Sequence, residues 1–256
     1  MVSIPMRTRR NIAIGFRTNR YLNALQRLVY GAIHCLRRRR PDIGTDDWGF
    51  EHVIRHEEEL TRVMGRPRAA VLRKVTDQLD ELCRAFIARS PFVIVASHDA
   101  QGNLDVSPKG DPAGFVLVLD DRTLAIPERP GNLRADTFRN LLTLREPKVA
   151  ILFMIPGKSE TLRVCGRALI VRDRALREKM AVNGKVPEVA LVVRIDEAFF
   201  HCAMSMVRSQ LWNPQSWGPV TDLPSLADAM VKHGALKESV DQMAGIIQHD
   251  QDTRLY

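Results

Sequence analysis

The most constraining stretch of the chain runs from Asp105 to Thr137, DVSPKGDPAGFVLVLDDRTLAIPERPGNLRADT. Two short apolar runs joined by Asp120 to Arg122 predict a β-hairpin. A Pro- and Gly-braced cationic loop at Ser107 to Gly114 precedes the hairpin, and a second at Glu128 to Arg134 follows it. A hairpin that connects two loops brings them to one side of a sheet. Lys109, Arg129 and Arg134 then converge, with backbone N–H groups exposed at Gly110, Gly131 and Asn132. Such a cradle suits a phosphorylated ligand.

The surrounding periodicities set the fold class. Thr45 to Asp47 precede a short helix that begins near Trp48 and stops at Gly65, and Pro67 opens a second helix whose stripe of Val71, Leu72, Val75, Leu79, Leu82, Cys83 and Phe86 spans four turns. Phe92 to Ser97 and Leu104 to Ser107 read as antiparallel strands about the turn Asp99 to Asn103. Phe115 to Leu119 pairs with Thr123 to Ile126. A helix from Asn132 to Arg145 follows, with Asn132 as N-cap and its free N–H groups available to a phosphate. Lys148 to Ile155, Glu160 to Val171 and Val189 to Ile195 complete the strands, with a short helix at Asp173 to Ala181. Six or more short strands, mostly hairpin-connected, favour a mainly β, α+β fold: an antiparallel barrel rather than a doubly wound parallel sheet. Amphipathic helices are expected at Leu226 to His233 and Leu236 to His249.

Charge is distributed unevenly. Residues 1 to 41 contain ten Arg and no acid, which leaves 28 basic and 30 acidic residues in the remainder. The net charge of +8 is therefore a property of the N-terminus, and a body that tracks a nucleic-acid backbone is not indicated. Tyr21, Leu22, Leu25, Leu28, Val29, Ile33 and Leu36 share one helical face within that segment. It reads either as an amphipathic helix for an anionic surface, a targeting peptide or a weak nucleic-acid binder, or as a poorly ordered extension. The four cysteines form no Cys-x-x-Cys pair, which argues against zinc and disulfides and for a reducing, cytoplasmic compartment. His52 and His56 lie four residues apart beside Glu57 to Glu59, but an exposed charged face accounts for them better than a metal. No apolar run approaches the ~18 residues of a membrane span. Nucleophile elbow, phosphate-loop and dinucleotide motifs are all missing.

Taken together, SPKGDP, then IPERPGN with Arg134 and Asp136, then IPG with ETLRVCGRA resembles the FMN-binding proteins related to pyridoxamine 5′-phosphate oxidase, over roughly Trp48 to Pro219. The resemblance implies an antiparallel split β-barrel of FMN-binding type, a homodimer with FMN at the subunit interface, and a small-molecule substrate. It puts Arg129, Asn132 and Arg134 at the phosphate. Ser107, Lys109, Gly110, Ile126, Pro127 and Glu128 would border the ring or ribityl chain. Thr161, Arg163, Arg208 and Trp212 would reach the FMN of the partner subunit. For Arg163, a structural ion pair with Glu160 or Asp136 is an equal account. RSQLWNPQSWGP does not reproduce the Arg- and Trp-containing segment with which true pyridoxamine 5′-phosphate oxidases recognise substrate, so the resemblance is to the broader group.

These observations imply residues 1–44 as an Arg-rich extension, 45–220 as the flavin domain and 221–256 as a helical segment. An FMN-dependent oxidoreductase is expected; the alternatives are a non-catalytic flavin- or haem-binding sensor, or a membrane-surface or nucleic-acid protein acting through the N-terminus. Removal of residues 1–44 is expected to leave flavin binding intact, as read from the visible spectrum of the truncated protein against the full chain.

Overall fold

The computed structural model describes residues 48–256, and the chain divides into two compact units, 1–66 and 67–256. The expected N-terminal amphipathic helix and the cap at Thr45 to Asp47 lie outside the described residues. In the first unit a helix, α1, spans Glu57–Met64 with His56 at its N-cap. It is shorter than expected: His52 lies outside it, so the two histidines do not share one helical face.

The second unit is built on a seven-stranded antiparallel sheet in the order β2-β1-β5-β6-β7-β4-β3. Its strands are β1 (Phe92–His98), β2 (Leu104–Gly110), β3 (Leu117–Asp120), β4 (Thr123–Pro127), β5 (Lys148–Met154), β6 (Thr161–Val171) and β7 (Ala190–His201). Alternation decides the buried face. Val93 and Val95 of β1, Val149, Ile151 and Phe153 of β5, Leu162 and Val164 of β6 and Leu191 and Val193 of β7 point into one core and are nearly inaccessible. Four strands separate β2 from β4 in the sheet order, yet Lys109 of β2 pairs with Glu128 just beyond β4. The sheet therefore curls until its ends approach, and no backbone ladder joins β2 to β3. This is an antiparallel split barrel with flanking helices.

The long helix expected after Pro67 is two short ones, α2 (Ala69–Arg73) and α3 (Glu81–Ile87). Between them Thr76 exchanges backbone hydrogen bonds with Ala198 at 2.9 and 2.7 Å, an extended pairing that a continuous helix would forbid. Asp80 then caps α3 by accepting from the Cys83 N–H. Leu79, Cys83, Phe86 and Ile87 enter the core, whereas Val71, Leu72, Val75 and Leu82 remain exposed. Helical spacing was present, but burial belongs to only half of the stripe.

The remaining helices follow from their caps. Helix α4 is Asp136–Leu142 and α5 is Arg174–Lys179, the latter capped by Asp173. After α6 (Met204–Arg208), helices α7 (Leu226–Gly234) and α8 (Val240–Thr253) each begin with a complete capping box, at Ser225 and Ser239. Ser239 explains why α8 starts later than periodicity suggests. Strand β7 continues past Ile195 to His201, because β6 is long enough to pair with it throughout. No helix among the described residues is long and apolar enough to cross a membrane.

A bulge interrupts the β6–β7 ladder, where Cys165 pairs with Glu197 and Gly166 with Ile195, leaving Asp196 unmatched. A Cβ on Gly166 would lie 2.1 Å from the Arg194 carbonyl oxygen. Gly166→Ala is expected to lower unfolding free energy by about 3 kcal/mol or more, because backbone rather than a flexible side chain must move. Urea denaturation measures it.

Candidate functional site

Strand β2 carries the first wall of the site. Asp105, Ser107 and Lys109 alternate onto its half-buried face, while Leu104, Val106 and Pro108 face outward. The expected loop at Ser107 is therefore strand as far as Gly110, which fixes the Ser107 and Lys109 positions more firmly than a loop would. The opposite wall is the segment Pro127 to Asn132 that leaves β4.

Two adjoining clefts lie between these walls. One, of about 210 Å³, is lined by Asp105 to Lys109, Glu128, Asn132 and Arg134 to Phe138. The other, of about 300 Å³, is lined by Ser107 to Gly110, Phe115 and Pro127 to Asn132. Ser107, Pro108, Lys109, Glu128 and Asn132 belong to both. Of the thirteen residues expected from sequence, Ser107, Lys109, Gly110, Pro127, Glu128, Arg129, Asn132 and Arg134 are thus brought together. Ile126 is buried in the core immediately behind this wall.

Each of the three converging cations has an acidic partner. Lys109 pairs with Glu128, and its Nζ also lies 5.4 Å from the centre of the Phe138 ring. Arg129 Nε donates to Asp111 Oδ2 at 2.5 Å, and its Nη2 donates to the Met180 carbonyl at 2.8 Å. Arg134 pairs with Asp136 at 2.7 Å. Exposure separates their roles: the Asp111 side chain is 1% exposed and Arg129 14%, whereas Arg134 is 61% exposed. The first pair is structural. The last is a surface pair that a ligand can replace at small cost.

The loop between them holds Leu133 and Ala135 in the left-handed region, at φ 60° and 53°. Helix α4 consequently begins at Asp136, after Ala135, and is seven residues long. This corrects the expected start at Asn132. The Asn132 side chain instead accepts from the Arg134 N–H at 3.0 Å, shaping the loop rather than capping a helix. An anion at this place would meet Arg134, with Ala135 to Phe138 at the start of α4 lining the same cleft.

Thr161, Arg163, Arg208 and Trp212 line neither cleft within the chain. Thr161 is buried opposite His201. Arg163 pairs with Glu197, neither of the two acids expected, and its guanidinium carbon lies 4.7 Å from the Phe199 ring centre. Trp212 Nε1 donates to the Lys158 carbonyl at 2.9 Å, and Arg208 is exposed at the end of α6.

Sequence reading missed Asp111 and Tyr256. The phenol of Tyr256 donates to Asp111 Oδ1 at 2.9 Å, and the Arg129 guanidinium carbon lies 5.6 Å from the centre of its ring. Asp111 thus binds two residues that are far apart in the chain, and no local pattern marks it except its place within the quoted SPKGDP. The Asp111 hydrogen bond, with burial, raises the Tyr256 phenol above its ordinary value. Thr137 and Phe138 also line the cleft, with Thr137 Oγ1 donating to Asp105 at 2.8 Å.

A family model described as Pyridoxamine 5′-phosphate oxidase matches residues 79–202. Among solved structures, HupZ of Group A Streptococcus is 21% identical, with 47% of this chain and 92% of that one covered and a TM-score of 0.38. General Stress Protein 26 from Bacillus anthracis is 14% identical over 46% of this chain and 88% of that one, TM-score 0.36. An F420 reductase is 18% identical over 46% and 94%, TM-score 0.35. No curated protein shows a significant match.

Asp111→Ala would leave Arg129 buried without its carboxylate and is expected to cost about 3 to 5 kcal/mol in unfolding free energy. The raised phenol makes a second expectation. Because its folded value exceeds its unfolded one, the Tyr256 contribution is complete below the ordinary phenol range and fades as pH rises through the raised value. Melting temperatures of wild type and Tyr256→Phe should therefore differ at neutral pH and converge in alkali.

Proposed function

We propose that the chain, whose residues 79–202 match the family model described as Pyridoxamine 5′-phosphate oxidase, is an FMN-binding flavoprotein, an FMN-dependent oxidoreductase acting on a small molecule. The observation that carries this reading is the gathering of eight of the expected residues along two adjoining clefts between β2 and the segment after β4. Two adjoining clefts of this size, one with Arg134 at its edge and the other mixing Phe115, Pro127 and Pro130 with polar Ser107, Lys109 and Glu128, suit a ligand with an anionic tail and a flat head bearing polar edges.

The donor set fits FMN in a specific way. Arg134, exposed and paired only at the surface, exchanges Asp136 for phosphate. Arg129 stays bound to Asp111 and holds the loop that presents the Asn132 region. Lys109 and Glu128 border the ring, with Ser107 and Gly110 beside them. Bound FMN supplies hydride and electron transfer through its ring, and the protein supplies binding, orientation and local charge. Lys109 is the cation nearest the ring in this reading, although Glu128 offsets part of its charge.

Thr161, Arg163, Arg208 and Trp212 enter as contributions of a second subunit, with FMN at the interface of a homodimer. Cys83, Cys165 and Cys202 are free thiols, in keeping with a reducing cytoplasm. The substrate is a small organic molecule or electron acceptor other than pyridoxamine phosphate, whose recognition segment RSQLWNPQSWGP does not reproduce. A haem-binding role has less support, since among the described residues no His, Cys or Met lines either cleft to act as an axial ligand.

The visible spectrum of the purified protein and the mass of any molecule released on denaturation test the cofactor; a colourless protein that does not take up added FMN refutes it. Bleaching by a reduced nicotinamide, then recovery with an added acceptor, separates an enzyme from a sensor. Arg134→Gln is expected to weaken FMN about tenfold or more while leaving riboflavin affinity unchanged, because one charge-assisted contact to phosphate is lost.

A further inference from the structure

A second cavity lies on the far side of the Arg129 loop. It measures about 560 Å³ and is bounded by Glu128 to Pro130 with Leu133, by Gly184 to Glu188, and by Tyr256. Its walls are largely apolar: Pro130, Leu133, Val186, Pro187 and the Tyr256 ring. Volume and lining both fall in the range of small-molecule sites.

Two of the three walls are locally fixed. Residues Asn183 and Gly184 have φ of 51° and 74° between Val182 and Lys185, whose backbones exchange hydrogen bonds in both directions. That is the Asn-Gly turn with two left-handed residues that closes a tight hairpin. Arg177 Nη1 binds the Pro187 carbonyl at 2.9 Å and secures the other end of this wall. The Arg129 loop is held by buried Asp111. Tyr256 completes the enclosure three residues after α8, anchored through its hydroxyl to the same Asp111.

Leu133 is the odd element. It is 72% exposed and left-handed, a conformation that costs an L-residue about 1 to 2 kcal/mol, yet it borders this cavity. Charge is equally selective. Glu128 is satisfied by Lys109, Glu188 by Arg172, and Arg129 by Asp111. Lys185 is the lining charge without an acidic partner among the described residues.

We propose that this cavity is a binding site for a small planar aromatic compound carrying a carboxylate, its ring lying between Tyr256, Leu133 and Val186 and its anion on Lys185. The assignment stands independently of flavin. It adjoins the cofactor cleft through Glu128, Arg129 and Pro130, which border both spaces.

Calorimetric titration of the full chain with 2-naphthoate and with neutral 2-methoxynaphthalene tests it. Both should bind at one saturable site. Lys185→Gln, on an exposed turn, should weaken the carboxylate about tenfold and leave the neutral compound unchanged. Tyr256→Ala should weaken both, and Tyr256→Phe, which keeps the ring but loses its anchor on Asp111, should weaken both by less than Tyr256→Ala does. Absence of saturable binding, equal effects of Lys185→Gln on the two probes, or indifference to Tyr256→Ala overturns the assignment. So does loss of 2-naphthoate binding on Arg134→Gln, which would place the ligand in the cofactor cleft instead.

Discussion

A carboxylate almost wholly removed from water must be satisfied by its neighbours, and Asp111 is satisfied by two of them. One is Arg129, on the segment that leaves β4; the other is Tyr256, beyond the last helix. Because Asp111 itself follows β2, this one side chain sets the separation of the two walls that frame the cleft. The barrel seam at that place has no backbone ladder, so side-chain pairs replace it. Lys109 with Glu128 makes the second such link. Packing of the core positions the strands, and these two pairs determine how far apart the unpaired ends stand.

The same pairs change how the cleft attracts a ligand. Lys109, Arg129 and Arg134 look like an uncompensated cationic nest when only the chain order is considered. In three dimensions the lining holds Asp105, Glu128 and Asp136 beside them. Long-range attraction of an anion is consequently weak here, and in the proposed reading selectivity rests on replacing one particular surface partner, Asp136, at short range. The net positive charge of the chain is carried in the sequence by residues 1 to 41.

How much of this was legible in the linear chain depends on the distance over which each signal acts. Strand alternation in FVIVAS or TLRVCGRALIV is local, and the strands formed where it occurs. The convergence of SPKG with PERPGN was legible because one hairpin joins them. Helical spacing after Pro67 was also local, yet Thr76 was claimed by Ala198, a residue 122 positions away, and the helix broke there. Asn132 suits an N-cap by type, but two left-handed residues downstream moved the helix start to Asp136. Asp111 and Tyr256 are 145 residues apart, and nothing in either neighbourhood announces the contact. Hairpin-scale geometry is written in the sequence; clasp-scale geometry depends on the whole barrel being closed first.

Pro108 sits in the middle of β2, opposite Ile94, and β2 is an outer strand of the sheet. Proline offers no N–H, so this outer strand lacks a donor at its middle, which disfavours a ladder to another molecule. The opposite outer strand, β3, is only four residues long. Neither rim of the sheet is suited to edge-to-edge strand addition, which guards the fold against filament formation. A residue that reads as loop bracing in the sequence thereby doubles as protection against polymerisation.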